Sequence, residues 1–208
     1  MSEKGILTVI SGFSGVGKGT IVKKLLAEHS NYAVSISATT REPRTGEENG
    51  REYFFLTKEQ FESMIEDDGL IEYAKYVDNY YGTPRKYVEG KLSEGKDVIL
   101  EIDAQGAMQI KKQYPDAVLI FIVPPTADVL RDRLKGRGTE SEEKITERLK
   151  RAAKETEFIP HYEYVVINDD LDNAVLDVHE IIQSAHKRRT ENETFLTVLS
   201  AQIKSKFQ

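Results

Sequence analysis

The sequence predicts an α/β protein built on a parallel sheet that is buried on both faces. Three observations carry this expectation. Gly5 to Ser11 (GILTVIS) is a short β-rich run that passes through a glycine-rich turn into a stretch with apolar residues at 21, 22, 25 and 26, the spacing of one helix face. Val98 to Ile102 and Val118 to Val123 are near-continuous apolar runs, as strands covered on both faces require, with a helical pattern over Ala104 to Gln113 between them. Strand and helix patterns alternate along most of the chain, and the connection rules then give a right-handed, doubly wound sheet with ligands at the C-terminal ends of its strands.

The elements follow in order. After the opening strand, loop and helix, Val34 to Ser37 reads as a short strand. Thr39 to Arg51 (TTREPRTGEENGR) is polar, holds Pro and Gly, and reads as an irregular loop. Tyr53 to Leu56 is a strand. Thr57 caps a helix over Lys58 to Asp67, with Gln60 three residues beyond the cap. Leu70 to Val77 is a strand and Asp78 to Gly82 a turn. Thr83-Pro84 reads as the cap and first residue of a helix that ends near Gly95. Beyond the two buried strands, Thr126 to Lys135 is helical and Gly136-Arg137-Gly138 a break. Ser141 opens a charged helix over Lys144 to Glu157, Tyr164 to Ile167 is a last strand, and Leu171 to Ala185 is a helix. The tail from Glu193 to Phe207 is read as helical too. The chain is thus a β-α-β body that encloses a mainly β insert at about 38 to 90 and a short charged excursion at about 136 to 157.

Composition narrows the class. The 208 residues carry a net charge of −6, where a duplex nucleic-acid binder would show a basic excess. Arginines cluster locally at 41, 44 and 51 and at 131, 133, 137, 148 and 151, which suits a small phosphorylated ligand better than a polymer. The longest apolar run, Ala117 to Val123, has seven residues, too few to span a bilayer. The start of the chain lacks a signal-peptide pattern. There is no cysteine, so no disulfide or thiolate site, and the four histidines show no ligand spacing. A cytoplasmic protein is expected, without a membrane partner.

Gly12-Phe13-Ser14-Gly15-Val16-Gly17-Lys18 fits G-x-x-x-x-G-K, follows a strand and opens a helix. Glycines let successive backbone N–H groups turn around phosphate oxygens, the helix start adds partial positive charge, and Lys18 can reach β- and γ-phosphates. Gly19 replaces the usual metal-binding hydroxyl and Thr20 follows, so Mg²⁺ is expected on the phosphates and water, with no protein metal ligand assigned.

Further motifs narrow the reading. Ser37-Ala38-Thr39-Thr40-Arg41-Glu42-Pro43-Arg44, Gly50-Arg51-Glu52-Tyr53-Phe54-Phe55, Ile71-Glu72-Tyr73 and Asn79-Tyr80-Tyr81-Gly82-Thr83 closely resemble the GMP-binding segments of guanylate kinases. Ile102 to Gly106, Phe121 to Pro125, Arg137 to Glu140 and Asn168-Asp169-Asp170-Leu171 continue the resemblance in the same order, from about residue 5 to 185. The resemblance implies a P-loop NTPase fold of three layers in three parts: a core (1–37, 91–135 and 158–208), a GMP-binding region (38–90) and a helical lid (136–157). It implies transfer of the γ-phosphoryl group of ATP to GMP, with Mg²⁺.

The chemistry of the residues fits that implication. Arg41 and Arg44 can each offer a planar fork to an acceptor phosphate, with Tyr53 and Tyr81 as hydroxyl donors. Guanine presents N1–H and N2–H₂ donors on one edge, which one carboxylate can accept together; Glu72 is the candidate, with Ser37 and Thr83 as donors to O6. Glu101 and Asp103, two apart at a strand end, point to one face. One is expected to organise Mg²⁺-bound water and Asp103 to approach GMP, with the division left open. Lys18, Arg44, Arg137 and Arg148 can surround the migrating phosphoryl group, the last two on a closing lid. Arg133 and Asn168, followed by Asp169, resemble positions near the adenine of ATP. Arg151 reads as a surface arginine.

Three other readings fit the residues less well. A guanylate-kinase-like protein-binding module would lack the intact phosphate loop. A kinase for another nucleoside monophosphate, or for a ribose phosphate, would lack Glu72 with its hydroxyl partners. A GTPase switch would show an Asn-Lys-x-Asp motif. The tail could pack on the core or on a second subunit, so a homo-oligomer stays open.

Overall fold

The computed structural model describes residues 4–76, 78–136, 141–188 and 190–207. Its centre is a five-stranded, all-parallel sheet of β1 (Leu7–Gly12), β2 (Tyr32–Val34), β7 (Asp97–Glu101), β8 (Val118–Val123) and β9 (Tyr164–Ile167), in the order β2-β7-β1-β8-β9. β1 lies in the middle, with Val9 beside Leu100 on one side and Leu119 on the other. The chain moves from β1 to one side for β2 and β7 and to the other for β8 and β9. The crevice at their C-terminal ends is therefore a topological switch point.

The apolar runs behave as expected. Val9, Ile10, Val98, Ile99, Leu100, Leu119, Ile120 and Ile122 are completely buried, because helices cover both faces. These helices include α1 (Lys18–Glu28), which buries Ile21, Val22 and Leu25, and α7 (Leu171–Ala185), which buries Ala174, Val175, Val178 and Ile182. α3 (Arg85–Ser93), α4 (Ala104–Gln113) and α5 (Ala127–Lys135) complete the layers, and Val88 and Leu92 of α3 belong to this same core.

A second, four-stranded sheet forms within the insert from β3 (Ala38–Thr39), β4 (Phe54–Phe55), β5 (Leu70–Tyr76) and β6 (Asn79–Pro84), in the order β4-β3-β6-β5. It closes over α2 (Lys58–Glu66), whose Thr57–Gln60 capping box forms as the sequence indicated. A small core of Ala38, Phe61 and Leu70 holds this part together, and Tyr80 stacks on Phe61 at 5.3 Å. The charged excursion is α6 (Glu142–Glu155), capped by Ser141 and continued by a 3-10 turn over Thr156–His161. α8 (Glu193–Phe207) ends the chain with no buried residue.

Four local expectations are corrected. The strand expected at Val34–Ser37 lies at Tyr32–Val34, since Ala33 and Val34 pair with Val98 and Ile99 before the chain leaves for the second sheet. Thr39, expected in the loop, is strand. Asn79 to Gly82 are strand rather than turn: pairing with β5 and the packing of Tyr80 override the turn preference of Asn and Gly. Thr83 is the strand partner of Glu72 instead of a helix cap; Pro84 holds the cap position, and the helix starts at Arg85.

Candidate active site

The phosphate loop leaves β1 at Gly12 and enters α1 at Lys18. Gly17 takes φ +100°, and a Cβ there would stand 2.6 Å from the Asn168 amide nitrogen, so glycine is required twice over. The same carbonyl of the loop, Val16 O, accepts from Asn168 Nδ2 at 2.8 Å and from Arg133 Nη1 at 3.3 Å. Asn168 is buried. Both residues expected near the adenine are thus fastened to the loop itself, which fixes its shape before any nucleotide arrives. Asp169, beside them, is exposed. Lys18 Nζ donates to Gly12 O at 2.6 Å and Phe13 O at 3.2 Å, arching its ammonium back over the loop.

Over the loop lies a hollow of about 530 Å³ lined by Gly15, Gly17, Lys18, Gly19, Thr20, Lys23 and Glu101. Beside it, a cleft of about 400 Å³ is lined by residues that include Ser37, Tyr53, Glu72, Tyr81, Glu101 and Asp103. Glu101 lines both. It stands at the end of β7 with a carboxylate oxygen 3.5 Å from where a Cβ on Gly19 would be. Surrounding protein atoms desolvate it and raise its pKa, against the attraction of Lys18. Asp103 lines the cleft alone; it caps α4, accepting from Gly106 N at 2.9 Å.

Glu72 is buried in the wall of this cleft. Thr83 Oγ1, fully buried, donates to Glu72 Oε1 at 2.6 Å. The bulge between Leu70 and Glu72 gives that pairing its register. Burial pushes the Glu72 carboxyl up to about 7, Asp103 adds to the shift, and the Thr83 hydroxyl opposes it. Its second oxygen lies 3.0 Å from where a Cβ on Gly106 would stand, so the first turn of α4 can approach only because residue 106 has no side chain. A carboxylate so placed, with one lone-pair face turned to a cleft, is built to accept hydrogen bonds from a ligand.

The arginine loop stands at the mouth. Arg41 Nη2 donates to both Glu47 oxygens at 2.9 Å, and its guanidinium sits 5.4 Å from the Tyr53 ring centre and 5.7 Å from that of Phe55. Tyr53 and Tyr81 meet edge to face at 6.2 Å. Arg41, Tyr53 and Tyr81 are therefore brought together as expected. Arg44 donates its backbone N–H to Glu47 at 2.7 Å and leaves its side chain exposed. Glu47 neutralises this corner, and its carboxyl is held below the usual range by the Arg44 backbone and Arg41.

The sequence reading missed part of the far wall. Arg151 lines the cleft, with Nη2 3.7 Å from Asp103 Oδ2, Nε 3.1 Å from Glu155 Oε1, and its guanidinium 5.8 Å from the Tyr76 ring. Glu155 Oε2 is buried without a hydrogen bond among the described residues. Burial raises the Glu155 pKa, opposed by Arg151 and Lys18. Arg148, half-buried, lies one turn earlier on the same helix. The spacing 148, 151, 155 along α6 marks one helix face and was the available signal. Arg137, the other expected lid arginine, lies outside the described residues.

The chain is similar to known proteins over most of its length. The family model described as guanylate kinase matches residues 4–185. A protein named guanylate kinase from Oceanobacillus iheyensis is 53% identical over 189 residues, covering 91% of this chain and 92% of its own. One of the same name from Caldanaerobacter subterraneus subsp. tengcongensis is 50% identical over 93% of this chain and 94% of its own. Among solved structures, guanylate kinase from Anaplasma phagocytophilum superposes with a TM-score of 0.71 at 32% identity, covering 90% of this chain and 89% of that one.

Proposed function

The chain belongs to the guanylate kinase family, and from that membership we propose how its own residues carry the transfer of the γ-phosphoryl group of ATP to GMP. The observation that carries the assignment is the buried Glu72–Thr83 pair in a cleft that shares Glu101 with the phosphate-loop hollow. ATP places its phosphates on the backbone N–H groups of Gly12 to Thr20, and Lys18 turns from the loop carbonyls to the β- and γ-phosphates. Arg133 and Asn168 hold the loop beside the adenine.

GMP enters the cleft with guanine against ionised Glu72, which accepts N1–H and N2–H together; Ser37 serves O6, while the Thr83 hydroxyl, expected there too, is spent on Glu72 Oε1 and orients that carboxylate. Its phosphate displaces Glu47 from Arg41 and meets Arg44, Tyr53 and Tyr81. Asp103, paired to lid Arg151, approaches the acceptor side; Glu101, shared by both hollows, organises water between donor and acceptor. Little proton chemistry is needed, so rate comes from aligning two phosphate groups and neutralising charge. Arg137 and Arg148 supply that charge from the lid (136–157), which closes against the core (1–37, 91–135 and 158–208) and the GMP-binding region (38–90).

A magnesium ion fits the donor set as one carried by the nucleotide. Gly19 offers no hydroxyl, and among the described residues no group of three His, Cys, Asp or Glu side chains could hold a metal. Glu101 can accept from the ion's water shell, and the bound ion would neutralise the β- and γ-phosphates. Among the described residues no helix is long and apolar enough to cross a membrane, and a cytoplasmic site of action accords with the cysteine-free composition.

A coupled ADP-release assay with ATP, Mg²⁺ and each of GMP, AMP, CMP and UMP tests the reading. GMP is expected to exceed the others by at least about a hundredfold in kcat/KM. Equal rates on GMP and AMP would remove Glu72 from base recognition.

A further inference from the structure

We propose that Arg151, steered by Glu155, is a positioning residue for the acceptor nucleotide: it holds the Asp103 carboxylate in place on the GMP cleft and ties α6 to two walls of that cleft. The inference rests on the reading of this cleft as the GMP site. Arg151 lines the cleft from α6, and its side chain meets residues from three separate stretches of chain. Nη2 stands 3.7 Å from Asp103 Oδ2 at the start of α4, the guanidinium carbon 5.8 Å from the centre of the Tyr76 ring at the end of β5, and Nε 3.1 Å from Glu155 Oε1 on α6 itself.

Asp103 gains a fixed orientation from this partner. Its Oδ1 is committed to the helix cap, where it accepts from Gly106 N at 2.9 Å. The setting of Oδ2 then depends on what stands beyond it. At 3.7 Å Arg151 attracts that oxygen without forming a hydrogen bond to it, so its lone pairs stay open to a donor on GMP. The cation has a second effect. Burial and the Asp103 charge both oppose ionisation of Glu72, and guanine needs Glu72 ionised. A positive charge beside Asp103 offsets that repulsion.

Glu155 accounts for the placing of Arg151. Its side chain is only 15% exposed, and Oε2 is buried with no hydrogen bond among the described residues. A carboxylate so placed costs the fold stability. It lies one turn on along the same helix face, takes Nε, and leaves the terminal nitrogens directed at Asp103. Arg151 itself is 47% exposed, and ion pairs open to solvent add little to stability. The arrangement therefore serves the cleft more than it serves folding.

Steady-state kinetics with either nucleotide varied, titration calorimetry of GMP alone and thermal midpoints test this on the full chain. Arg151→Ala should raise KM and Kd for GMP about tenfold, the size of one lost charge-assisted contact. KM for ATP should stay within about twofold and the midpoint within about 2 °C. The loss should fall on KM more than on kcat, since Arg151 acts on bound GMP before the phosphoryl group moves. Arg151→Lys should recover all but about threefold, because an ammonium keeps the charge without the planar fork. Glu155→Gln keeps an oxygen for Nε but not the charge, and should raise KM for GMP about threefold. Added to Arg151→Ala it should change nothing more, because Glu155 acts through Arg151. An unchanged KM for GMP in Arg151→Ala, an equal rise for ATP, or a lysine no better than alanine overturns the proposal. Effects of the two substitutions that multiply would overturn the part given to Glu155. The GMP preference of the wild type separates this inference from the reading beneath it. If that preference holds while Arg151→Ala changes nothing, the inference fails alone; if the wild type takes AMP as readily as GMP, the reading of the cleft fails and the inference with it.

Discussion

Replacing Glu72 by Gln should make the protein more stable and a worse enzyme, and both effects can be sized from the structure. Gln fills the same volume and can still accept from Thr83 Oγ1, so the packing of the cleft wall is kept. What disappears is a buried charge. The Glu72 carboxyl has an ordinary value of 4.5 and is raised to about 7 in the fold. Between those values the folded state binds the extra proton, so stability falls as pH rises through that window. At pH 8 ionised Glu72 therefore costs about 3 kcal/mol, whereas at pH 5, where the folded group is protonated, the cost is about 1 kcal/mol. Glu72→Gln should accordingly raise the unfolding midpoint by roughly 6–12 °C at pH 8 and by only a few degrees at pH 5. In the same variant one guanine donor would face an amide N–H₂ instead of a carboxylate oxygen. The loss of a charge-assisted bond and the exposure of an unpaired donor should lower kcat/KM for GMP about a hundredfold or more. Calorimetric scans of both proteins at the two pH values, without nucleotide, provide the test. A midpoint gain equal at pH 5 and pH 8, or no gain at all, would refute the claim that the fold holds a costly ionised carboxylate here.

The remaining predictions concern the same site. Because Glu72 titrates near 7 and guanine needs it ionised, GMP binding at pH 7 should release up to about half a proton beyond that seen with Glu72→Gln. Titration calorimetry in two buffers of different ionisation enthalpy measures this, and GMP affinity should weaken as pH falls below 7; identical proton counts in both proteins would contradict it. Gly106→Ala puts a Cβ 3.0 Å from Glu72 Oε2 and 3.3 Å from Ile102 Cδ1, so KM for GMP should rise about tenfold or more while KM for ATP holds; unchanged GMP kinetics would show that the approach of α4 to Glu72 is not tight. Asn168→Ala leaves Val16 O with Arg133 alone and should raise KM for ATP severalfold and lower stability by about 1–2 kcal/mol; steady-state kinetics with a denaturant titration decide it, and an effect confined to GMP would place Asn168 elsewhere in the mechanism.

The body of the fold was legible because its strands are buried on both faces. Val98 to Leu100 and Val118 to Ile122 have nothing polar to blur the pattern, and the helices between them announce themselves by period and by caps such as Thr126 and Ser141. The insert was harder for a physical reason. Its strands are short, half-exposed and set by pairing with one another, so Asn79-Tyr80-Tyr81-Gly82 carries turn-type residues inside a strand. Thr83 looked like a helix cap because Thr-Pro often is one; its hydroxyl is instead committed to Glu72 across the hairpin. No local rule distinguishes these uses, since the deciding partner is eleven residues away.

At the site, residues whose chemistry is written in a continuous motif were found, and those that matter through a neighbour were not. The glycines, Lys18, Arg41 and Glu72 declare themselves, whereas Gly106 counts only because a Cβ there would stand 3.0 Å from Glu72 Oε2. Arg151 and Glu155 sit in a helix so rich in charge that any surface face would look the same. What separates them is desolvation. Glu72, Glu101 and Glu155 all have pKa values raised by burial, and Tyr162, buried with no hydrogen bond among the described residues, is pushed up to about 12. Three acids and a phenol kept from water, with Lys18 near enough to two of the acids, Glu101 and Glu155, to oppose their shifts, form an arrangement that no single element would adopt for its own stability. It exists because the phosphate loop, the second sheet and α6 converge there. That convergence is also what a phosphoryl-transfer site needs, since charge placed where water is scarce acts most strongly on charge that moves. The signature of the site is therefore shared desolvation across three distant stretches of chain, a property of the fold that a one-dimensional pattern does not contain.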